Sequence, residues 1–287
     1  DGVDDDGDGF CINRDCNDGD TVCGLGSCQD CPPESIVLTS PATAPVCVEP
    51  VEFMLDADGV QFAIESGALS CEGERTTVSF EDFEGVNLVD SGEWATNGDN
   101  GDRRAEIGGW PDNFDTESCP NEGSFARFVA EGSDRSIFYR GGFDARGLTD
   151  LRLGFTAASR EAESRISVSA CCAEDNCLGN RREFATLLVP TSACTRYLGF
   201  AEIPEEFEGC RSVELVITRS QSEDAILAID DLTIEGSIAV EDISETGGGE
   251  YTFDVQACIP GEYSVTCMYE DDGVSLDSTS SVELVSE

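Results

Sequence analysis

Asp4, Asp6 and Asp8 stand at alternate positions, Gly9 follows them, and Asp15 is the twelfth residue counted from Asp4. Carboxylates at the first, third and fifth positions, a backbone carbonyl at the seventh and an acid at the twelfth can build the oxygen shell of a hard cation, and Ca²⁺ takes roughly six to eight such donors. The spacing therefore predicts a calcium loop held by Asp4, Asp6, Asp8, the carbonyl of Phe10 and Asp15, with Gly9 at the sharp bend. Asp reaches less far than Glu, so closure at the twelfth position is expected through a single carboxylate oxygen or a water.

Other chemistry is limited by what is missing. The chain has no His and no Lys, which removes the usual proton-transfer and Schiff-base side chains. Cys28 and Cys31 form a lone Cys-x-x-Cys, with no second pair at zinc-site spacing. Two adjacent carboxylate pairs, Asp230-Asp231 and Glu205-Glu206, evoke glycosidases, which work with two acids across one bond. Neighbours along a strand point to opposite faces, however, and cannot act jointly, so no catalytic site is expected. Trp94 and Trp110 bracket the polar loop 95–104, and aromatic faces beside Asn, Asp and Arg are what a glycan platform requires. Capping of a sandwich core is the other use for two such rings. Asp99 and Asp102 in that loop are candidates for a second cation.

Charge and cysteine restrict the partners. With 60 acidic and 16 basic residues the formal charge is −44, which argues against nucleic acid and anionic membranes and favours cations. Fourteen of the sixteen arginines fall between Arg103 and Arg219, whereas residues 238–287 have none. An Arg-bearing face of one copy meeting an acidic face of the next would make a head-to-tail contact, and one that does not close makes a filament. No apolar run is long enough to span a bilayer and no signal-peptide pattern opens the chain, so a mature secreted product or an excised portion of a longer one is expected. The fifteen Cys argue for disulfides and an oxidising compartment. Five lie in the first 34 residues, four (Cys47, Cys71, Cys258, Cys267) flank the rest, and six lie in its middle. The even blocks can close internally, which leaves the odd thiol at the N-terminal end.

The elements that must position these groups read as strands. Leu151, Leu153 and Phe155 alternate with polar or small residues, as do Ile166, Val168 and Ala170, and Val213, Leu215 and Ile217. No stretch carries a helical stripe, and the first 34 residues have too little apolar content to order themselves without metal and disulfides.

Several segments resemble known families. Asp4–Phe10 with Asp15-Cys16-Asn17-Asp18 resembles the Asp-rich metal-binding repeat of secreted myxobacterial proteins (MopE-like), and is similar to thrombospondin type 3 and dockerin calcium loops. That resemblance implies calcium and an extracellular address; copper, associated with one MopE-like protein, is not expected without imidazole. Residues 261–285, with Tyr263, Val265, Cys267 and Tyr269 facing one way, resemble the end of an immunoglobulin-like or PKD-type domain, whose first strands are expected at 35–38 and 46–53. Between them, Val78–Gly85 and Ala228–Ile234 look like the paired bookends of a MAM or carbohydrate-binding-module jelly roll. That likeness implies a structural calcium near the bookends, with Glu84 and Asp231 as ligands and Asp230 as a lesser candidate.

The expected architecture is all-β: a calcium segment (1–34), an Ig/PKD-like sandwich in two parts (35–79 and 238–287) and an inserted jelly roll (80–237). The expected role is non-enzymatic and extracellular, on a bacterial surface: a calcium-stabilised subunit of a fibre, polymerised through the N-terminal segment and complementary charged faces. The alternative is an adhesin or polysaccharide-binding module using the jelly roll.

Overall fold

The computed structural model describes residues 33–58, 64, 67–81, 94–96, 106–108, 125–128, 135–139, 142–160, 163–175, 177–190, 197–220, 226–247, 249–271 and 274–286. Asp4, Asp6, Asp8, Phe10, Asp15, Glu84 and Trp110 lie outside the described residues, as do Asp99 and Asp102.

The protein is all-β, and it divides into two compact units: residues 75–236, and the residues that flank them, 1–74 and 237–287. The first flank holds β1 (Ser35–Thr39), β2 (Thr43–Pro45), β3 (Val51–Asp58) and β4 (Leu69–Gly73). Then come β5 (Arg75–Glu81), β6 (Trp94–Thr96), β7 (Glu106–Gly108), β8 (Phe125–Phe128), β9 (Arg135–Tyr139), β10 (Leu148–Arg160) and β11 (Ser164–Cys172). After them run β12 (Arg182–Val189), β13 (Tyr197–Glu202), β14 (Val213–Ser220) and β15 (Ile226–Val240). The second flank supplies β16 (Ser244–Gly247), β17 (Glu250–Gln256), β18 (Gly261–Asp271) and β19 (Val274–Val285). Helix among the described residues is limited to α1 (Cys177–Asn180) and two 3-10 turns, Ala173–Asp175 and Glu205–Phe207.

In the flanking unit one sheet runs β1-β3-β17, with the end of β15 beyond it, and the other runs β2-β19-β18-β4. Period-two alternation decides which residues meet: Val51, Phe53, Leu55 and Ala57 of β3 and Tyr251, Phe253 and Val255 of β17 turn inward, against Tyr263, Val265, Cys267 and Tyr269. Phe53 and Phe253 stack with ring centroids 5.4 Å apart, and full burial of each such side chain contributes about 1.5–3 kcal/mol. Where β1 meets β19, hydroxyls make the join. The Leu38 N–H donates to Ser278 Oγ at 2.9 Å, and Ser40 and Ser280 share a hydrogen bond of 2.8 Å.

The strand expected at 46–53 starts only at Val51. Cys47 adopts φ 57, outside the β region, Pro50 offers no N–H to a ladder, and the disulfide Cys47–Cys258 pins the turn. A second bridge, Cys71–Cys267, joins residues directly opposite each other on β4 and β18. Both pairs stay within the flanks.

The inserted unit is a sandwich of two sheets. One is β15-β10-β13, with β5 and β8 also pairing β15 and β7 pairing β8; the other is β12-β11-β14-β9-β6. Leu151, Leu153, Ile166, Val168, Val213, Leu215 and Ile217 are fully buried between them, as the alternation requires. Cys171–Cys177 and Cys172–Cys210 fasten the loops at one end of β11; Cys119 and Cys194 lie outside the described residues.

Candidate functional site: an aromatic face on the inserted sandwich

β13 turns its small residues inward. Gly199 faces Phe155, whose ring fills the space where a Cβ at position 199 would stand, and Ala201 is also buried. Leu198 and Phe200 consequently point out, 61% and 47% exposed. The register sets Phe200 opposite Gly154 on β10. A Cβ at 154 would fall 2.5 Å from Thr233 Oγ1 and 3.4 Å from the Phe200 ring. Gly154 thus leaves the gap across which the ring lies.

Polar groups border that ring. The Arg152 guanidinium sits 4.5 Å from the ring centroid, an arrangement worth about 0.5–1 kcal/mol at an exposed site. It is held there by an ion pair with Glu235 of β15. Glu202, opposite Arg152 in the register, is 67% exposed at its side chain and 3.9 Å from Arg75. On the other side of Gly154, Thr156 donates to Asp231 Oδ2 at 3.1 Å and to the Asp230 carbonyl at 3.3 Å. The result is a face that presents one aromatic ring, a guanidinium and the carboxylates of Glu202, Glu235 and Asp231, with the Thr156 hydroxyl buried beside them. Such a surface can stack on the apolar side of a sugar ring while donating to and accepting from its hydroxyls.

Asp231 interrupts β15 with φ 50, and its N–H is taken by Asp230 Oδ1 at 2.9 Å. Asp230 is 9% exposed and Asp231 half-buried. Both residues stay within β15, with the Asp230 carboxylate turned back onto its neighbour's backbone. Glu205-Glu206 is not in a strand at all: both sit in the 3-10 turn Glu205–Phe207, and Glu206 pairs with Arg182. The oxygens of Asp230, Asp231 and Thr156 are chemically suited to a hard cation. Asp231 would be the carboxylate ligand from this strand, beside Thr156.

Trp94 lies on β6, paired with Tyr139 in the opposite sheet from Phe200; its side chain and all of Trp110 lie outside the described residues. The aromatic ring that the described structure exposes is Phe200, which the sequence reading did not single out. The signal was there in Tyr197-Leu198-Gly199-Phe200-Ala201, a strand whose small members can only alternate with its large ones.

Five arginines of the inserted unit are engaged within it. Arg75 pairs with Glu202, Arg146 with Asp144 at 2.6 Å, Arg152 with Glu235, Arg181 with Glu214 at 3.4 Å and Arg182 with Glu206. A head-to-tail contact with an acidic face gains no support from them. Among the described residues no helix is long and apolar enough to cross a membrane.

No protein-family model and no curated protein matches the sequence. Solved structures similar to part of it include the K1 cleaved adhesin domain of Lys-gingipain from Porphyromonas gingivalis, at 14% identity and TM-score 0.41, covering 56% of this chain and 98% of that one. A xylan-binding domain of carbohydrate-binding module family 22 matches at 11% identity and TM-score 0.36, covering 57% and 95%. A family 61 module in complex with β-1,4-galactotriose matches at 11% identity and TM-score 0.33, covering 52% and 97%.

Proposed function

We propose that the protein is a non-catalytic, extracellular polysaccharide-binding or adhesive module, and that the outer face of β10, β13 and β15 is its binding surface. The observation that carries this reading is Phe200, a large ring left exposed over Gly154 and fixed in place by Arg152 and Glu235. A ring held in place costs little entropy to use, and burying its exposed surface against a sugar supplies affinity that hydroxyl contacts alone do not. The test is affinity electrophoresis against a panel of neutral and acidic polysaccharides. Phe200→Ala should lose retention by about tenfold or more with an unchanged circular dichroism spectrum; equal retention of the variant and the native protein would remove the face from consideration.

The N-terminal loop is proposed as a calcium site that orders a segment poor in apolar residues, with Asp4, Asp6, Asp8, the Phe10 carbonyl and Asp15 as ligands. Terbium luminescence titrated with Ca²⁺ reads it directly. Asp8→Ala should abolish the calcium-displaced signal of this loop; a signal that survives unchanged places the ion elsewhere.

A further inference from the structure

β13 is the terminal strand of its sheet, and among the described residues no strand pairs with its far side. The Ile203 N–H donates to the Leu151 carbonyl at 2.8 Å. Alternation along an antiparallel pair then directs the odd-numbered peptide groups of β13 toward β10 and those of Leu198, Phe200 and Glu202 toward the open edge. Natural proteins blunt such edges with charge, proline or bulges, because an open edge with large apolar side chains templates another strand. β13 carries no proline and no bulge in its register, and it carries Leu198 and Phe200. Together with Leu188 on β12, the terminal strand of the opposite sheet, these are the exposed large apolar residues of the inserted unit among those described.

We propose that β13 pairs antiparallel with β13 of a second copy, about a two-fold axis at Gly199. A two-fold interface must be self-complementary, and this strand is: Leu198 of each copy falls opposite Phe200 of the other, with Gly199 facing Gly199. Charge selects the same edge. Two copies at −44 each repel, so contact requires a place where carboxylates are already neutralised. Around β13 three are: Glu202 meets Arg75, Glu235 meets Arg152 and Glu206 meets Arg182. Edge-to-edge pairing leaves the outer sheet faces open, so the two Phe200 rings become parts of one continuous platform. That continuity rests on the glycan-binding reading above; the pairing itself does not. A two-fold contact of this kind closes on itself and does not propagate a fibre.

The experiment uses the full chain without sugar, in sedimentation velocity runs at rising protein concentration, at low salt and at about 1 M NaCl, where the Debye length is ~3 Å. A reversible dimer, strengthened by salt, is expected, and Leu198→Lys should weaken it about tenfold or more. Hydrogen–deuterium exchange on the native protein gives a second readout that needs no variant: the amides of Leu198, Phe200 and Glu202 should slow as concentration rises. A monomer at every concentration, or a dimer indifferent to Leu198→Lys with fast exchange at those amides, overturns the proposal. Polysaccharide retention is measured separately, so loss of the dimer and loss of sugar binding cannot be confused.

Discussion

Tyr263 shows how much one side chain can couple this fold to its solvent. It is 1% exposed, and its hydroxyl donates to the Ile259 carbonyl at 3.0 Å. Burial pushes the phenol up to about 12, whereas the unfolded chain ionises near 10. The folded value is the higher, so the contribution to stability is fully present below about pH 10 and is lost as pH rises toward 12. The size is on the order of 2–3 kcal/mol at the alkaline end. Tyr251, whose phenol burial also raises, adds in the same direction. With no Lys in the chain, little else titrates there except tyrosine and any free thiol. Tyr263→Phe should therefore lose about 0.5–1.5 kcal/mol at neutral pH with the hydrogen bond, yet show a shallower fall in its urea midpoint above about pH 10. An alkaline limb as steep as that of the native protein would show that the phenol is not what couples folding to pH.

At the level of strands, the sequence was informative wherever large apolar residues alternate with polar ones. Leu151, Leu153 and Phe155 of β10, and Tyr263 to Tyr269 of β18, are buried as their alternation implies, because one face of each strand has nowhere else to go. β13 inverts the pattern. Its apolar members Leu198 and Phe200 face out and its small members Gly199 and Ala201 face in, since the long Phe155 reaches across from β10 and leaves no room. Which face of a strand is the core face is set by the neighbour in space, and β13 and β10 are some forty residues apart in the chain. The small–large alternation of β13 carried a signal for the exposed Phe200 ring, but its surroundings were illegible: Arg152, Phe200 and Glu235 come from three strands, and only the register joins them. The kink at Asp231 and the three-residue parallel strand β2 on β19 were likewise invisible; a positive φ at an aspartate and a strand ending in proline leave no periodic trace. Conversely, the grouping of cysteines into even blocks was legible, because a disulfide needs only proximity and the pairs Cys47–Cys258 and Cys71–Cys267 close within the flanks.

For the molecule as a whole, charge is distributed in two different ways. Residues 33–74 and 237–287 contain twenty acidic residues and no basic one. The register sets like charges directly opposite each other: Glu52 faces Asp254, Asp56 faces Glu250, and Glu262 faces Glu283. Each such pair destabilises by roughly 0.2–1 kcal/mol at low salt, with no basic side chain in residues 33–74 and 237–287 to offset it. The inserted unit instead distributes arginines among its carboxylates, in pairs that individually contribute about 0–1 kcal/mol. Added salt should consequently act with opposite sign on the two. It relieves the repulsion in the flanking unit and weakens the pairs in the inserted one. Because repulsion predominates in a chain of −44, the net expectation is a melting temperature that rises between about 0.05 and 1 M NaCl as the Debye length falls from roughly 14 to 3 Å. Asp254→Asn identifies the source: it should raise the melting temperature at low salt by about 1–4 °C and lose that advantage at about 1 M. Calorimetry on the two proteins decides it. A gain that persists undiminished at high salt would mean that Asp254 is unfavourable for packing or solvation, and that its charge opposite Glu52 is incidental.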